Sequence, residues 1–251
     1  MKKRILITGG AGFIAHHIIR HFLKNTDWEI VSLDRLDYSG NLNRIADMMN
    51  EFDKETQKRL RIIFHDLRAE INQMLTADLG EFEYILHLAA SSHVDRSIDN
   101  PMEFVLDNVV ATCNILNYAK QQNKLERFIY FGTDEVFGPA PLGVNYKERD
   151  RYNSTNPYSA TKAAVNTLTR TLSKEVGKYN IKVNTMSPGP CKTEMFPENK
   201  LSTKLSLPTI EYLATLPKSG PTGEFFWFMK KINIFSNLNN INWGKPPTKK
   251  V

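Results

Sequence analysis

Short apolar runs alternate along the chain with stretches in which apolar residues recur every three or four positions. The runs occupy residues 4–7, 29–33, 61–65, 84–87, 127–131, 182–186 and 224–228. Their length and their branched or aromatic residues are typical of buried β-strands. Strands that alternate with helices usually form βαβ units around a parallel sheet. The pattern therefore predicts an α/β protein with a doubly wound parallel sheet of about seven strands.

Three apolar stripes at helical spacing predict the main helices between these strands. Their members are Ile14, Ile18 and Phe22 in the first stripe, Val105, Val109, Thr112, Leu116 and Ala119 in the second, and Val165, Leu168, Leu172 and Val176 in the third. Pro101 and Pro157 precede the second and third stripes, where proline favours the first turn of a helix.

The composition changes near Pro188. Eight of the twelve prolines lie from Pro188 onward, and asparagines crowd the tail. We expect a loop-rich C-terminal segment with one helix at residues 208–216 and one strand. We expect the end beyond Trp243 to be disordered.

The composition as a whole is that of a globular protein, with 41% hydrophobic and 24% charged residues. The formal charge is +6, but six basic residues lie at the two ends and no basic face is visible, so we expect no nucleic-acid partner. No apolar stretch approaches the roughly 18 residues of a membrane span, so we expect no membrane partner. The first apolar run stops at two glycines without a cleavage site, which favours a strand over a signal peptide.

The two cysteines, Cys113 and Cys191, provide neither a disulfide framework nor the spacing of metal ligands. We therefore expect no metal site. Low cysteine usage of this kind is typical of a reduced compartment, and we expect a cytoplasmic protein.

The sequence TGGAGFIA at residues 8–15 follows the first strand and opens the first helical stripe. Glycines at such a turn let the backbone approach a pyrophosphate, and the helix N-terminus favours its negative charge. Asp34 ends the next strand, where an acidic side chain binds ribose hydroxyls and repels a 2′-phosphate. Asp34 favours NAD, whereas Arg35 keeps NADP open because an arginine can receive that phosphate. Asp66 ends the third strand and could meet the adenine, although an isolated acid at such a position is more often a cap or a surface residue.

Tyr158 and Lys162 are four residues apart and share one face of a predicted helix. An ammonium group beside a phenol lowers the phenol pKa, so Tyr158 can act as a base toward an alcohol or as an acid toward a ketone. Lys162 can also hold the nicotinamide ribose. Thr133 ends a predicted strand at the edge where open α/β sheets bind ligands, so its hydroxyl can bind the same substrate oxygen.

Two adjacent carboxylates, Asp134 and Glu135, follow Thr133. Acid–base chemistry needs one protonated and one ionised group, and a close pair of carboxyl groups tends to separate its two pKa values. An arbitrary Asp-Glu pair is usually a solvated loop. Its position directly after a strand, at the predicted cofactor site, favours a chemical role here.

These residues resemble the short-chain dehydrogenase/reductase superfamily. Residues 1–164 are similar to its extended, NAD-dependent epimerase/dehydratase branch, and specifically to dTDP-glucose 4,6-dehydratases. The matching runs are TGGAGFI at 8–14, LDRLDYSGNL at 33–42, HLAA at 87–90, SHVDRS at 92–97, TDEVFG at 133–138 and NPYSATK at 156–162. Within the branch, the run at 133–135 is specific to the dehydratases.

The resemblance implies a Rossmann-type fold and a set of site residues. The implied cofactor-binding residues are Gly9, Gly12, Phe13, Ile14, Asp34, Asp66, Leu67, Ala89 and Lys162. The implied catalytic residues are Thr133, Asp134, Glu135, Tyr158 and Lys162.

The resemblance also implies a mechanism. Tyr158 takes the proton of the sugar 4-hydroxyl as hydride passes to NAD, Glu135 removes the C5 proton, and Asp134 protonates the leaving 6-hydroxyl. The hydride then returns to C6, which leaves a 4-keto-6-deoxy sugar and regenerates the cofactor.

Residues 165–251 resemble instead the single-domain carbonyl reductases of the same superfamily. The runs that carry this likeness are NTMSPGP at 184–190, KTEM at 192–195 and GPTGEFF at 220–226. We therefore expect residues 1–190 to form the NAD(P)-binding domain, and residues 191–251 to form a short substrate-side segment that completes the same domain.

Three functions follow from these observations. The leading hypothesis is a nucleotide-sugar 4,6-dehydratase, the second is an NAD(P)(H)-dependent carbonyl reductase or alcohol dehydrogenase, and the third is a non-catalytic NAD-binding sensor. The partner is accordingly a nucleotide sugar or a small carbonyl compound. The resemblance further implies a homodimer that pairs the helices at 105–119 and 165–176. The alternative is that both stripes face only the chain's own sheet.

Overall fold

The computed structural model describes residues 2–139, 152–188, 206–227 and 230–232. Within these ranges the chain forms a sheet of eight strands in the order β3-β2-β1-β4-β5-β6-β7-β8. The strands are β1 Arg4–Thr8, β2 Glu29–Asp34, β3 Leu60–Phe64, β4 Tyr84–His87, β5 Arg127–Phe131, β6 Lys182–Ser187, β7 Phe225–Trp227 and β8 Lys230–Ile232. The first seven are parallel, whereas β8 pairs antiparallel with β7. The predicted seven-stranded parallel sheet is confirmed, and β8 is an addition to it.

The connections between strands are helical, as the stripes predict. The α-helices are α1 Phe13–Asn25, α2 Leu42–Met49, α3 Lys54–Gln57, α4 Gln73–Leu79, α5 Val94–Asp99, α6 Pro101–Phe104, α7 Ala111–Lys120, α8 Pro157–Val176 and α9 Leu207–Ala214. A π-helical stretch, Val105–Val110, joins α6 to α7. The helix expected at residues 208–216 corresponds to α9.

The two faces of the sheet carry separate hydrophobic cores, because successive strand side chains point in opposite directions. Ile5 and Ile7 pack with Phe22 of α1 on one face. Leu6, between them, packs on the other face with Leu116 of α7 and Val165 of α8. Both faces are therefore covered by helices, which is the doubly wound arrangement.

The π-helical stretch changes one sequence-based expectation. Thr112, Leu116 and Ala119 are buried as the second stripe predicts, but Val105 is 38% exposed. A π-helix places hydrogen bonds five residues apart, so the helical face rotates relative to an α-helix. As a result Asp107 and Asn108, not valines, are the buried side chains of this stretch.

The third stripe lies on α8 and faces the protein interior. Val165, Leu172 and Val176 are buried in the second core, and the second stripe packs there too from Ala111 onward. Any subunit contact through α7 or α8 must therefore use their outer faces.

In the described part of the chain, no helix is long and apolar enough to cross a membrane. The tail beyond Trp243, for which disorder was expected, lies outside the described residues. So do residues 189–205, which carry the run KTEM.

Candidate active site

A groove of about 560 Å³ runs along the carboxyl edge of the parallel sheet. Such an edge is where open α/β sheets bind ligands. All nine predicted cofactor-binding residues line it, namely Gly9, Gly12, Phe13, Ile14, Asp34, Asp66, Leu67, Ala89 and Lys162. Tyr158 lines the same groove. The fold thus brings together residues that lie more than 150 positions apart.

The glycine turn between β1 and α1 leaves room for a pyrophosphate. Gly9 has a φ of 71°, and a Cβ atom there would lie 2.8 Å from the backbone nitrogen of Ala89. Gly12 precedes α1 as its N-cap, and no side chain caps the first turn. The first-turn N–H groups are therefore open to an anionic ligand, which the helix dipole also favours. The turn fits a dinucleotide.

Asp34 is held at the end of β2 by backbone donors. The Ala11 N–H donates to one carboxylate oxygen at 2.9 Å and the Leu36 N–H donates to the other at 2.8 Å. Leu36 adopts a left-handed φ of 56°, a conformation that a non-glycine residue adopts only when its surroundings enforce it. The turn orients the carboxylate toward the groove, as ribose recognition requires.

Asp66 also lines the groove, and its carboxylate is engaged by Arg68. The Arg68 Nε donates to Asp66 at 2.8 Å, and the Arg68 backbone N–H donates at 2.9 Å. The carboxylate is 33% exposed. It can therefore still accept a hydrogen bond from a ligand in the groove.

Tyr158 and Lys162 are placed by the start of α8. The Asn156 side chain accepts the Ser159 N–H at 2.8 Å, and the Ser159 hydroxyl completes a capping box. Pro157 occupies the first turn, where its missing N–H costs nothing. These local signals fix the helix start, and with it the positions of Tyr158 and Lys162 one turn apart.

Lys162 is buried, with its ammonium close to β5. Its Nζ donates to the Phe131 carbonyl at 3.2 Å and lies 5.0 Å from the ring centre of Tyr130. Burial lowers the pKa of Lys162 to about 7. A desolvated lysine of this kind gains or loses its proton near neutral pH.

The environment of Tyr158 differs from the expectation. Burial raises the pKa of Tyr158 above its ordinary value, and the negative charge of Glu135 raises it further, while a hydrogen bond with the Thr133 side chain opposes both. The predicted lowering by Lys162 is not found, because the Lys162 Nζ lies 5.9 Å from the Tyr158 ring centre and is itself desolvated. Without a ligand, Tyr158 is a protonated phenol.

Thr133, Asp134 and Glu135 follow β5 and start a short 3-10 turn, Asp134–Phe137. The Thr133 hydroxyl accepts the Glu135 N–H at 3.3 Å. Both residues are exposed to solvent, but neighbouring protein atoms partly desolvate each carboxyl group. Burial raises the pKa of both groups, and the charge of Asp134 raises that of Glu135 further. Both carboxyl groups are therefore weaker acids than free Asp and Glu side chains.

The fold thus brings the other four predicted catalytic residues near Tyr158. Thr133, Asp134 and Glu135 do not line the dinucleotide groove itself. They lie beside it, and Tyr158 connects the two parts because it lines the groove and contacts Thr133. This arrangement can move protons at one end of a bound dinucleotide.

Other groove residues were not identified from the sequence. Asp107 also lines the groove. It lies within the second apolar stripe, and a charged residue at such a position is the sequence signal that could have identified it. Tyr38 and Arg44 line the groove from the segment after β2, and the matching run at residues 33–42 pointed to that segment without assigning them a role.

Comparisons with known proteins agree with this geometry. A family model described as GDP-mannose 4,6 dehydratase matches residues 6–211, a range that extends into the part of the chain that resembles carbonyl reductases. The dTDP-glucose 4,6-dehydratase of Shigella flexneri is 33% identical over 198 residues, which cover 72% of this chain and 53% of that protein. The Neisseria gonorrhoeae enzyme of the same name is 36% identical over 179 residues, or 67% and 50% of the two chains.

The fold is similar to that of a dTDP-glucose 4,6-dehydratase from Streptomyces venezuelae solved with NAD bound. The TM-score is 0.71 at 27% identity, and the match covers 90% of this chain and 75% of that one. The chain spans about half the length of the curated relatives it matches. It belongs to the family described as GDP-mannose 4,6 dehydratase, within the NAD-dependent epimerase/dehydratase branch of the short-chain dehydrogenase/reductase superfamily.

Proposed function

We propose that this protein is an NAD-dependent nucleotide-sugar 4,6-dehydratase that converts dTDP-glucose to a 4-keto-6-deoxy sugar. The observation that carries the proposal is the cluster of Thr133, Asp134 and Glu135 beside Tyr158, at one end of a dinucleotide groove. Simple ketone reduction does not need the two carboxylates. The names of the relatives and the NAD-bound neighbour support the same reaction.

The groove residues would hold NAD, with Asp34 at the adenine ribose and the open first turn of α1 at the pyrophosphate. When bound, NAD supplies a nicotinamide ring that accepts a hydride and returns it within the turnover. Lys162 lies at the end of the groove next to Tyr158, so its ammonium is suited to bind the second ribose.

The protein residues carry the protons. Tyr158 would first lose its own phenolic proton to solvent, a loss that the positive charge of bound oxidised NAD would favour. Its phenolate oxygen would then receive the proton of the sugar 4-hydroxyl, while the Thr133 hydroxyl positions that oxygen. Glu135 then takes the C5 proton, and Asp134 delivers a proton to the 6-hydroxyl so that water leaves. Burial raises the pKa of Asp134, which is the direction that an acid requires. It also raises the pKa of Glu135, so the assignment of acid and base follows the family resemblance and not these shifts.

The deciding experiment is mass spectrometry of dTDP-glucose after incubation with purified protein and catalytic NAD. Loss of one water without net NADH supports the dehydratase. If folded, NAD-bound protein leaves the sugar unchanged, the proposal is wrong. Consumption of stoichiometric NADH or NADPH with a ketone or aldehyde would then favour the carbonyl reductase, which needs only Thr133, Tyr158 and Lys162.

We further propose that the protein forms a homodimer through α5, α6 and the π-helical stretch. Ile98 and Met102 are 62% and 63% exposed, and Val105 and Leu106 are 38% and 37% exposed. The elements that carry these residues all contact α8, so the proposed interface would adjoin the predicted pairing of the helices at 105–119 and 165–176. Light scattering should give a dimer at micromolar concentration, and Met102→Glu should give a monomer. The control is Met74→Glu, since Met74 is 82% exposed on α4.

We also propose a cytoplasmic location and a single domain. Cys113 is a free thiol, in keeping with a reduced compartment. Residues 1–190 would form the cofactor-binding part, and residues 191–251 would complete the substrate side. The parallel pairing of β6 with β7 supports a single domain, because the same sheet continues into the C-terminal segment.

A further inference from the structure

Arg35, the residue after Asp34 at the end of β2, is held by a buried carboxylate from a distant part of the chain. Its two terminal nitrogens donate to the two carboxylate oxygens of Asp107, 72 residues further on, at 2.6 and 2.7 Å. Asp107 is only 5% exposed. One of these nitrogens also donates to Asp37 at 2.8 Å. The guanidinium is therefore matched by two carboxylates in a bidentate arrangement.

Asp107 is itself fixed in place. The Ser91 hydroxyl donates to it at 2.6 Å. The neighbouring Asn108 side chain accepts the Ser91 N–H at 2.8 Å and donates to the Ser91 carbonyl at 3.1 Å. Asn108 also donates to Thr161 of α8 at 2.9 Å. The π-helical stretch turns both side chains inward, so the Asp107 carboxylate is a rigid part of the groove wall.

The position of Arg35 gives this contact a functional meaning. Asp34, Arg35, Asp37 and Asp107 all line the dinucleotide groove. An arginine next to the ribose-binding acid is the group that receives the 2′-phosphate in NADP-binding sites. Here four of its five N–H groups donate to Asp37 and Asp107, and the Asp66 carboxylate lies 3.7 Å from the guanidinium. The nearby Arg68 is likewise paired with Asp66, at 2.8 Å.

We propose that Asp107 is a cofactor-selectivity residue, which excludes NADP by holding Arg35 in a carboxylate clamp. The inference rests on the proposed binding of NAD in this groove. Asp107 would thus be a second determinant of cofactor selectivity, besides Asp34. Asp34 disfavours the 2′-phosphate of NADP by its own charge. Asp107 binds the guanidinium of Arg35, which would otherwise receive that phosphate. Asp107 acts through Arg35 and is a positioning residue.

The test is equilibrium binding of NAD and NADP to the full chain by titration calorimetry. Asp107→Asn keeps the shape and an acceptor for Ser91 but removes the charge that holds Arg35. We expect NADP binding to tighten about tenfold, the size of one charge-assisted hydrogen bond, while NAD binding changes about twofold or less. Adding Arg35→Met to this variant should abolish the gain in NADP affinity. If the gain survives, Arg68 and not Arg35 binds the 2′-phosphate, and the inference is overturned.

Glu103→Gln is the matched control. Glu103 lies one helical turn before Asp107 and interacts with Arg96 and Asn100 rather than with Arg35. Removing its charge should leave the ratio of NADP to NAD affinity unchanged. An equal shift in this control would mean that net charge, not the clamp, sets the ratio, and would overturn the inference.

The outcomes separate this inference from the proposed function. If the natural protein binds neither dinucleotide, the proposed function fails. If it binds NAD and Asp107→Asn weakens both dinucleotides equally, Asp107 is only structural and the inference fails. Should Asp107→Asn not fold, Asp37→Asn removes the half-buried partner of Arg35, and an unchanged affinity ratio in that variant overturns the inference.

Discussion

The Nδ1 atom of His87 lies 2.7 Å from the Thr8 hydroxyl, and this contact ties the end of β4 to the end of β1 beneath the dinucleotide groove. The Thr8 oxygen also accepts the N–H groups of Leu88 and Ala89, at 3.2 and 3.1 Å. On the other side of the ring, Nε2 lies 2.9 Å from the Thr112 hydroxyl. The buried side chain of His87 therefore connects β4 to β1 through Thr8 and to α7 through Thr112.

The network defines the tautomer of His87. The Thr112 hydroxyl donates its only proton to the Asn108 carbonyl at 2.5 Å, so Nε2 must carry the proton that it shares with Thr112. Nδ1 then accepts the proton of Thr8. Each proton in this network then has one acceptor. A second proton on the His87 ring would face the Thr8 hydroxyl proton and would have no acceptor. Burial, together with the nearby charge of Lys162, lowers the pKa of His87 to about 3.

This network predicts a pH-dependent stability. The pKa of His87 is lower in the folded protein than the ordinary value of about 6.5, so the unfolded chain binds more protons between these values. The contribution of His87 is complete above pH 6.5 and is lost, by about 1.4 kcal/mol per pH unit at most, as pH falls toward 3. His87→Gln lacks this titration. The stability gap between the two proteins in urea unfolding should narrow from pH 7 to pH 5, and an equal gap at both values would contradict the prediction.

Tyr158→Phe separates catalysis from ligand binding. The variant loses the phenolic oxygen that holds the substrate proton, and general acid–base groups contribute about 10² to 10⁴ in rate. Turnover of dTDP-glucose should fall by that factor, while NAD binding by calorimetry stays within about twofold. An NAD-responsive protein that is indifferent to Tyr158→Phe would instead be the non-catalytic sensor.

Lys162→Met should stabilise the cofactor-free protein while it abolishes turnover. A buried lysine with a pKa near 7 binds fewer protons in the folded state than in the unfolded state between pH 7 and 10.5, so its presence costs stability at neutral pH. Because the pKa falls from 10.5 to about 7 on folding, removing the lysine should gain on the order of a few kcal/mol at pH 7. Thermal unfolding at pH 7 and 9 tests the sign, since the gain must shrink as pH rises. A gain that grows with pH is incompatible with the burial argument.

The two carboxylates should act at different steps. Glu135→Gln removes the base for the C5 proton but leaves Tyr158, so the first hydride transfer still occurs and reduced nicotinamide absorbance persists on the protein. Asp134→Asn keeps the C5 base, so exchange of the C5 hydrogen with deuterated solvent continues although water is lost about 10² to 10⁴ times more slowly. If both variants show the same loss and no exchange, the separate roles are wrong.

Gly9→Ala should destabilise the fold and weaken dinucleotide binding. The backbone at Gly9 has a positive φ, and a methyl group would lie 2.8 Å from the Ala89 nitrogen, so we expect a cost of about 1–3 kcal/mol. Gly177→Ala is the control, because φ is −58° there and nothing lies within 4 Å of the added atom. That substitution should be neutral or slightly stabilising. Equal melting temperatures for the two variants would contradict the requirement for glycine at position 9.

Local sequence signals predicted much of the structure because they act over one or two turns of chain. The strand Tyr84–His87 was predicted from its short apolar run, and Pro157 marked the start of α8 independently of the rest of the fold. Asp34 was found in the same way, from its place at the end of a strand after the glycine turn. These signals were enough to predict the sheet and, together with the family resemblance, nine of the residues that line the groove.

The remaining features depend on contacts between distant segments. No local pattern shows that the stretch after α6 is π-helical, and only this rotation turns Asp107 toward Arg35. The direction of the Tyr158 pKa shift also depends on the tertiary structure. Burial and the charge of Glu135 raise this pKa, whereas Lys162, one helical turn away, lies 5.9 Å from the ring centre and does not lower it. The sequence by itself determined the strands, the glycine turn and the reactive groups that follow the strands, because these depend on local pattern. The tertiary structure alone decided their protonation and pairing, since both depend on burial and on distances between groups far apart in the chain.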